Sequence, residues 1–344
     1  MRLRWAVAVP VVAVALTVAG GVLVTPSAPP SPEVTTVVAA ADPLAQRIER
    51  AQQRLRDLPR DWQTWAVLGV ALVERARVTG DPTFYPRAEN ALKESLRLRP
   101  SNPEALIGQG MLANARHDFN FAAKVAGEAV SLNPFSSRGY LVLADAYTQL
   151  GKSELASNAV QHALDLDPGL PALSRAAYDL ELHGQIADSR EMWQRALRQA
   201  FAPSDVAFVR QQLGDLALST GDRETARNEY ILAGYKYGLA KLDGDLRLYA
   251  ELVAAQPNPT LLAEYAILLH QANREADAAW ALRLADAALA LLEANGATDD
   301  LAAAEVALAR GDCAAARTFA QRELDRRTHR DVIRMHQRAW ECVS

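Results

Sequence analysis

Residues 137–168 read SRGYLVLADAYTQLGKSELASNAVQHALDLDP, and this stretch decides the fold. Ala144 and Ala156 are small enough to let two antiparallel helices approach closely. Gly151, between them, suits the left-handed backbone that ends a first helix. Pro168 stops the second helix without disturbing its interior. The stretch therefore predicts two antiparallel helices joined by a tight turn.

The end of this stretch recurs along the chain at a fixed interval. Pro100, Pro134 and Pro168 stand 34 residues apart and close the phrases LRLRPSNP, VSLNPFSS and LDLDPGLP. A fixed period of this length indicates stacked supersecondary units. The composition agrees, because 50% of the residues are hydrophobic but only 6% are aromatic, which suits helices packed through Ala and Leu.

The recurring residues resemble the tetratricopeptide repeat, a 34-residue helix–turn–helix unit. The resemblance covers residues 61–328 and is strongest over residues 101–234. It implies an all-α protein, a right-handed α-α superhelix (tetratricopeptide solenoid) of about seven helical hairpins. The two most regular copies carry it through Gly110, Ala122, Pro134, Tyr140, Leu143, Ala144, Tyr147, Gly151, Ala156 and Pro168.

Two additions and two caps complete the predicted array. Residues 78–86, VTGDPTFYP, are rich in turn formers and predict an extra loop, and residues 236–256 predict an extra helix. Residues 42–60 predict an N-terminal capping helix and residues 329–344 a C-terminal one. The stripe expected to face inward on the last helix is Val332, Ile333, His336, Ala339 and Trp340.

The N-terminal residues have the layout of an export signal. Arg2 and Arg4 precede an uncharged run over residues 5–24, so residues 1–24 predict a signal peptide or a signal anchor. Residues 25–41 are rich in Pro, Ser and Thr and predict a linker. The expected location is therefore extracytoplasmic, either secreted or anchored to the cytoplasmic membrane by residues 5–24, and the sequence leaves cleavage open.

Cys313 and Cys342 are the two cysteines of the chain. Outside the cytoplasm an even count permits a disulfide, which would join the last helix to the final repeat. The alternative is two separate buried thiols that act as small apolar residues.

No catalytic or phosphate-binding motif is present, and the net charge of −4 lacks a basic stripe for nucleic acid. The expectations are therefore no enzyme activity, no catalytic residue, no cofactor, no metal and no nucleic acid. The only candidates for a metal or enzyme site are His329 and His336, near the two cysteines. We interpret them as surface or cap histidines.

In the tetratricopeptide family the first helix of each hairpin lines a concave groove. The resemblance thus implies a protein or peptide partner, of unknown identity, bound to outward-facing residues of these helices. A membrane-tethered accessory subunit of a transport or envelope-assembly complex is the alternative role. The groove positions are Glu104, Met111, Asn114, Arg138, Leu141, Asp145, Gln149, Arg175, Tyr178, Glu181, Gln211, Gln212 and Asp215.

Overall fold

The computed structural model describes residues 42–342, which form eighteen α-helices and no strand. The helices are α1 (Pro43–Asp57), α2 (Trp62–Thr79), α3 (Phe84–Leu98), α4 (Pro103–Ala115), α5 (Phe119–Leu132), α6 (Ser137–Gln149), α7 (Ser153–Leu166), α8 (Leu170–Leu182), α9 (Ile186–Gln199), α10 (Pro203–Ser219), α11 (Arg223–Ala233), α12 (Lys236–Asp243), α13 (Leu246–Ala255), α14 (Pro259–Gln271), α15 (Glu275–Ala294), α16 (Asp300–Arg310), α17 (Cys313–Arg326) and α18 (Arg330–Glu341).

The hairpin α6–α7 shows how the sequence builds one repeat. The Ser136 side chain accepts a hydrogen bond from the Gly139 backbone N–H at 3.3 Å and so caps α6. Gly151, at φ +68°, makes the left-handed turn to α7. α7 ends at Leu166, two residues before Pro168. The predicted all-α array of about seven hairpins is confirmed.

The first helices of successive hairpins form an inner layer. Besides its partner in the hairpin, α2 packs against α4, α4 against α6, and α6 against α8, whereas the second helices make no such extensive contacts among the described residues. This asymmetry curves the array and leaves a concave face on the first helices, here called the inner face. Small residues permit the close packing: a Cβ added to Gly110 would lie 2.7 Å from a Val142 methyl carbon.

The extra residues near 78–86 differ from expectation. α2 runs on to Thr79 and has 18 residues against 13 in α4, and α3 already begins at Phe84. Only residues 80–83 lie between the two helices, so most of the insertion extends α2 instead of forming a loop. The turn formers stand only where the chain reverses, with Gly80 at φ +66°.

Residues 236–256 form two helices and not one. The chain breaks at Gly244, which has φ +63°, and the Asp245 side chain caps α13 by accepting from the N–H groups of Arg247 and Leu248 at 2.9 and 3.2 Å. The rings of Tyr235, Tyr237, Tyr249 and Tyr265 follow one another across this addition, with centroids 5.9 to 6.3 Å apart.

The last helix buries a different stripe from the expected one. Val332, Met335 and Ala339 face the core, while Ile333 and Trp340 are 43% and 49% exposed. Trp340 instead stacks on His336, with centroids 4.1 Å apart. The inward stripe is thus displaced around the helix from the expected one.

A disulfide joins Cys313, the first residue of α17, to Cys342, directly after α18, with Cα atoms 5.6 Å apart. Arg317 donates to the carbonyl oxygens of Ala339 and Cys342 at 3.1 and 2.8 Å, which satisfies the last carbonyls of α18. Together they hold α18 firmly against α17.

The expectations for residues 1–24 and 25–41 fall outside the described residues. Among residues 42–342, no helix has both the length and the apolar composition needed to cross a lipid bilayer.

Candidate binding surface on the inner face

A wide opening on the inner face lies at the N-terminal end of the array. This N-terminal groove has a volume of about 790 Å³ and is shared by α1, α2, α4 and α6. Its lining residues are Arg47, Trp62, Gln63, Ala66, Val67, Val70, Glu74, Asn102, Pro103, Glu104, Met111, Asn133 and Arg138.

The lining of the N-terminal groove combines apolar surface with opposite charges. Val67 is 48% exposed, and Val70 and Met111 are half-buried beside it. Across the groove, Arg138 donates to the Glu104 carboxylate at 3.0 Å, and both side chains stay about half exposed. Such a surface offers hydrophobic contact together with two charged side chains that remain free to exchange partners.

One wall of the groove is fixed by a buried polar chain. The Ser95 hydroxyl donates to the Trp62 carbonyl oxygen at 2.7 Å, and the Asn102 amide donates to the Ser95 oxygen at 2.9 Å. Asn102, 1% exposed, also accepts from the Glu104 N–H at 3.1 Å and caps α4. The start of α2 is therefore held rigidly against the start of α4.

Glu74 lies further along the same wall, at the inner side of α2. Arg77 donates to its carboxylate at 2.5 Å. The hydrogen bond with Arg77, reinforced by the charges of Arg47 and Arg175, holds the pKa of Glu74 below its usual range. Glu74 is thus ionised in the groove at neutral pH.

The middle of the inner face, on α6 and α8, is organised by paired side chains. Arg175 binds Asp145 through two parallel hydrogen bonds, at 3.0 and 2.9 Å, and both side chains are more than a third exposed. Asn114 donates to the Val142 carbonyl oxygen at 3.2 Å. Leu141, which we expected to face the groove, is instead buried against Ala163 and Ala172.

Residues 327–330 join α17 to α18, Arg330 being the first residue of α18, and are here called the return segment. They cross to this middle part of the inner face. Arg327 donates to Gln149, and the Thr328 hydroxyl donates to the Leu150 carbonyl oxygen at 3.1 Å. His329 Nε2 lies 3.0 Å from the Tyr178 hydroxyl. Three residues expected to bind a partner therefore contact the return segment: Gln149, Tyr178 and, through Arg330, Glu181.

Arg330 completes the contact of the return segment. Its guanidinium donates to the Glu181 carboxylate at 2.8 Å and lies 5.6 Å from the centre of the Tyr178 ring. Burial raises the pKa of Tyr178 to about 12, so its hydroxyl stays protonated.

A smaller cavity of about 270 Å³ lies beside the return segment. Asn114 Oδ1 and His117 Nδ1 are buried at its wall and have no hydrogen-bond partner within residues 42–342. Burial lowers the pKa of His117. The lining residues are Asn114, His117, Phe119, Asp145, Thr148, Gln149, Val160, Arg175, Tyr178 and Arg327.

Gln211, Gln212 and Asp215 lie apart from both cavities, on α10. Tyr230 donates to the Asp215 carboxylate at 2.7 Å, and burial raises the pKa of Asp215. A similar arrangement, which no sequence pattern indicated, joins the neighbouring addition to α14: Tyr237 and Tyr249 donate to Glu264 at 2.8 and 3.0 Å.

Residues 42–342 contain no group of three or more His, Cys, Asp or Glu side chains arranged to hold a metal ion. The two candidate residues for such a site have other partners. His329 contacts Tyr178, and His336 contacts Gln321 at 3.0 Å.

Comparison with known proteins gives one family match and a set of similar structures. The model of the tetratricopeptide repeat matches residues 137–170. A thermophilic tetratricopeptide-repeat protein of Thermus thermophilus is 23% identical, with 60% of this chain and 98% of that chain covered and a TM-score of 0.43.

Two further solved structures are similar at lower identity. The APC/C hetero-tetramer Cut9–Hcn1 is 16% identical, with 86% of this chain and 52% of that chain covered and a TM-score of 0.47. YrrB, a tetratricopeptide-repeat protein described as having an unusual peptide-binding site, is 16% identical, with coverages of 58% and 96% and a TM-score of 0.37. No curated protein matches the chain in sequence.

Proposed function

We propose that the chain is a non-catalytic scaffold that binds a protein or peptide partner on its inner face, because residues 137–170 match the tetratricopeptide repeat and the described residues form successive helical hairpins. The principal site is the N-terminal groove. The observation that carries the proposal is the combination of about 790 Å³ of open volume with an exposed Val67 and a half-exposed Glu104–Arg138 pair. An extended peptide or a short helix fits such a surface by burying apolar side chains and exchanging charged partners.

The proposed location is outside the cytoplasm. The sequence of residues 1–24 supports it, as does the disulfide between Cys313 and Cys342, because disulfides persist in oxidising compartments. Sequencing the N-terminus of the mature protein separates a released scaffold from a tethered accessory subunit. A start near Asp42 contradicts the tethered form, and an intact Arg2 supports it.

The groove itself is tested with a matched pair of substitutions on α2. Val67 lines the groove and Val78 does not, yet the two side chains are similarly exposed, at 48% and 55%. A photo-crosslinking residue placed at position 67 in the native host should yield a protein adduct, and one at position 78 should not. Val67→Glu should weaken binding of the crosslinked partner at least tenfold, because the glutamate would place a charge in the apolar part of the site.

Val78→Glu serves as the control and should leave binding and helix content unchanged. If positions 67 and 78 crosslink to the same proteins, or if both glutamate variants bind equally well, the N-terminal groove is not the partner site.

A further inference from the structure

The return segment binds the inner face as a peptide would. Arg327 has φ −155° and ψ 151°, and His329 has φ −62° and ψ 147°, so the backbone is extended between α17 and α18. Its side chains enter successive sites along α6 and α8, and the partners stand 149 to 178 positions away in the sequence.

In these hydrogen bonds the donors belong to the return segment and the acceptors to the inner face. Arg327, Thr328 and Arg330 all donate, and the inner face supplies the acceptors: an amide oxygen, a backbone carbonyl oxygen and a carboxylate. Two aromatic faces add to this, because the guanidiniums of Arg327 and Arg330 lie 5.3 and 5.6 Å from the ring centres of Phe119 and Tyr178. This part of the inner face therefore selects an extended, donor-rich, cationic segment.

The segment is not part of a helix–helix interface across the array. Every extensive helix contact in residues 42–342 is between helices at most two apart in order, and neither α17 nor α18 packs in this way against α6 or α8. α18 is instead held by α16, α17 and the disulfide. The return segment can thus leave the inner face while the last repeat stays folded.

We propose that the inner face over α6 and α8 is a docking site for an extended peptide with two arginines that flank hydroxyl and imidazole side chains, and that the return segment occupies it until such a partner peptide displaces it. This inference rests on the proposed binding role of the inner face. A tethered segment competes at a high effective concentration, in the millimolar range for short tethers, so a free peptide binds well only when the segment is weakened.

The test uses the full chain and a fluorescently labelled synthetic peptide of residues 325–333, DRRTHRDVI. Thr328→Ala with Arg330→Ala removes two donors from the return segment and leaves the buried Arg327 with its carboxylate. This double variant should bind the peptide at least tenfold more tightly than the wild-type chain, measured by fluorescence anisotropy. Hydrogen exchange over residues 327–332 should rise at the same time.

A matched pair of glycines identifies the docking site. Gly151 and Gly184 both make the left-handed turn of their hairpins, at φ +68° and +74°. A Cβ on Gly151 would lie 2.1 Å from the Thr328 hydroxyl oxygen, whereas a Cβ on Gly184 would meet no atom of the described residues within 4 Å. Asparagine is the suitable replacement because Asn273 already adopts φ +56° at such a turn.

Added to the double variant, Gly151→Asn should abolish peptide binding and Gly184→Asn should retain it. The proposal is overturned if exchange rises in the double variant without tighter peptide binding, if exchange does not rise, or if the two asparagine variants bind alike. Val67→Glu should not affect this assay, so its outcome is separate from that of the N-terminal groove.

Discussion

The N-terminal groove and the middle of the inner face are formed by the same kind of helix, yet one is open and the other is covered. Both carry an ion pair between neighbouring repeats: Glu104 with Arg138, and Asp145 with Arg175. What differs is the return segment, whose own buried pair, Arg327 with Glu323, is 6% and 1% exposed. Position along the superhelix, and not the helix sequence alone, therefore decides which part of the face is available.

The largest expected effect comes from breaking the buried pair. Glu323→Ala leaves the Arg327 guanidinium buried without its carboxylate, and we expect a loss of about 3–5 kcal/mol of stability. Glu104→Ala removes a half-exposed partner in the N-terminal groove and should cost about 0–1 kcal/mol. Urea denaturation of the two variants measures both. Equal losses would show that the two regions do not differ in this way.

Removing the disulfide should have a comparable but smaller effect. Its cysteines are 29 positions apart, so closing this loop in the unfolded chain is worth about 3–4 kcal/mol. In Cys313→Ala with Cys342→Ala, hydrogen exchange should rise in α18 and the return segment and stay unchanged in α2 and α4. Faster exchange throughout would indicate that the two regions are one cooperative unit.

Lowering the pH should weaken the docking of the return segment by a still smaller amount. Burial lowers the pKa of His329, which lies among Tyr178, Glu181, Arg327, Arg330, Asp331 and Arg334. The docked imidazole is thus neutral, while a released one titrates near ~6.5. The return segment therefore docks most strongly when the pH is above the pKa of the released imidazole. Docking weakens as the pH falls from there toward the lower pKa of the docked imidazole.

The measurement is exchange at residues 327–332, corrected for intrinsic rates, at pH ~5.5 and ~7.5. His329→Asn is the control, because asparagine keeps a helix-capping oxygen but does not titrate. An equal acid effect in this variant would assign the response to another group, such as His117.

The features of the fold that can be predicted from the sequence are the local and periodic ones. Gly151 and Pro168 mark the ends of α6 and α7, because their backbone restrictions act within a few residues. Which face of a helix a residue occupies is harder to predict, because an error of one position turns a side chain by about 100° around the axis. Leu141, for example, is buried although we expected it to face the groove. The composition of residues 78–86 also misleads, because five of the nine lie within helices.

The return segment has no sequence signal of this kind. Its contacts depend on how far the array curves before α17, and that curvature is the sum of many small angles between hairpins. Arg330 and Glu181 are 149 positions apart, and no repeat period relates them.

The pair α12–α13 has a consequence for how the array unfolds. α12 and α13 share smaller interfaces with each other and with α11 and α14 than the two helices of a repeat share. Since each unit of a solenoid is stabilised mainly by its neighbours, melting spreads from unit to unit until it meets a weak junction. We therefore expect force applied to the two ends of the array to open it first at α12–α13.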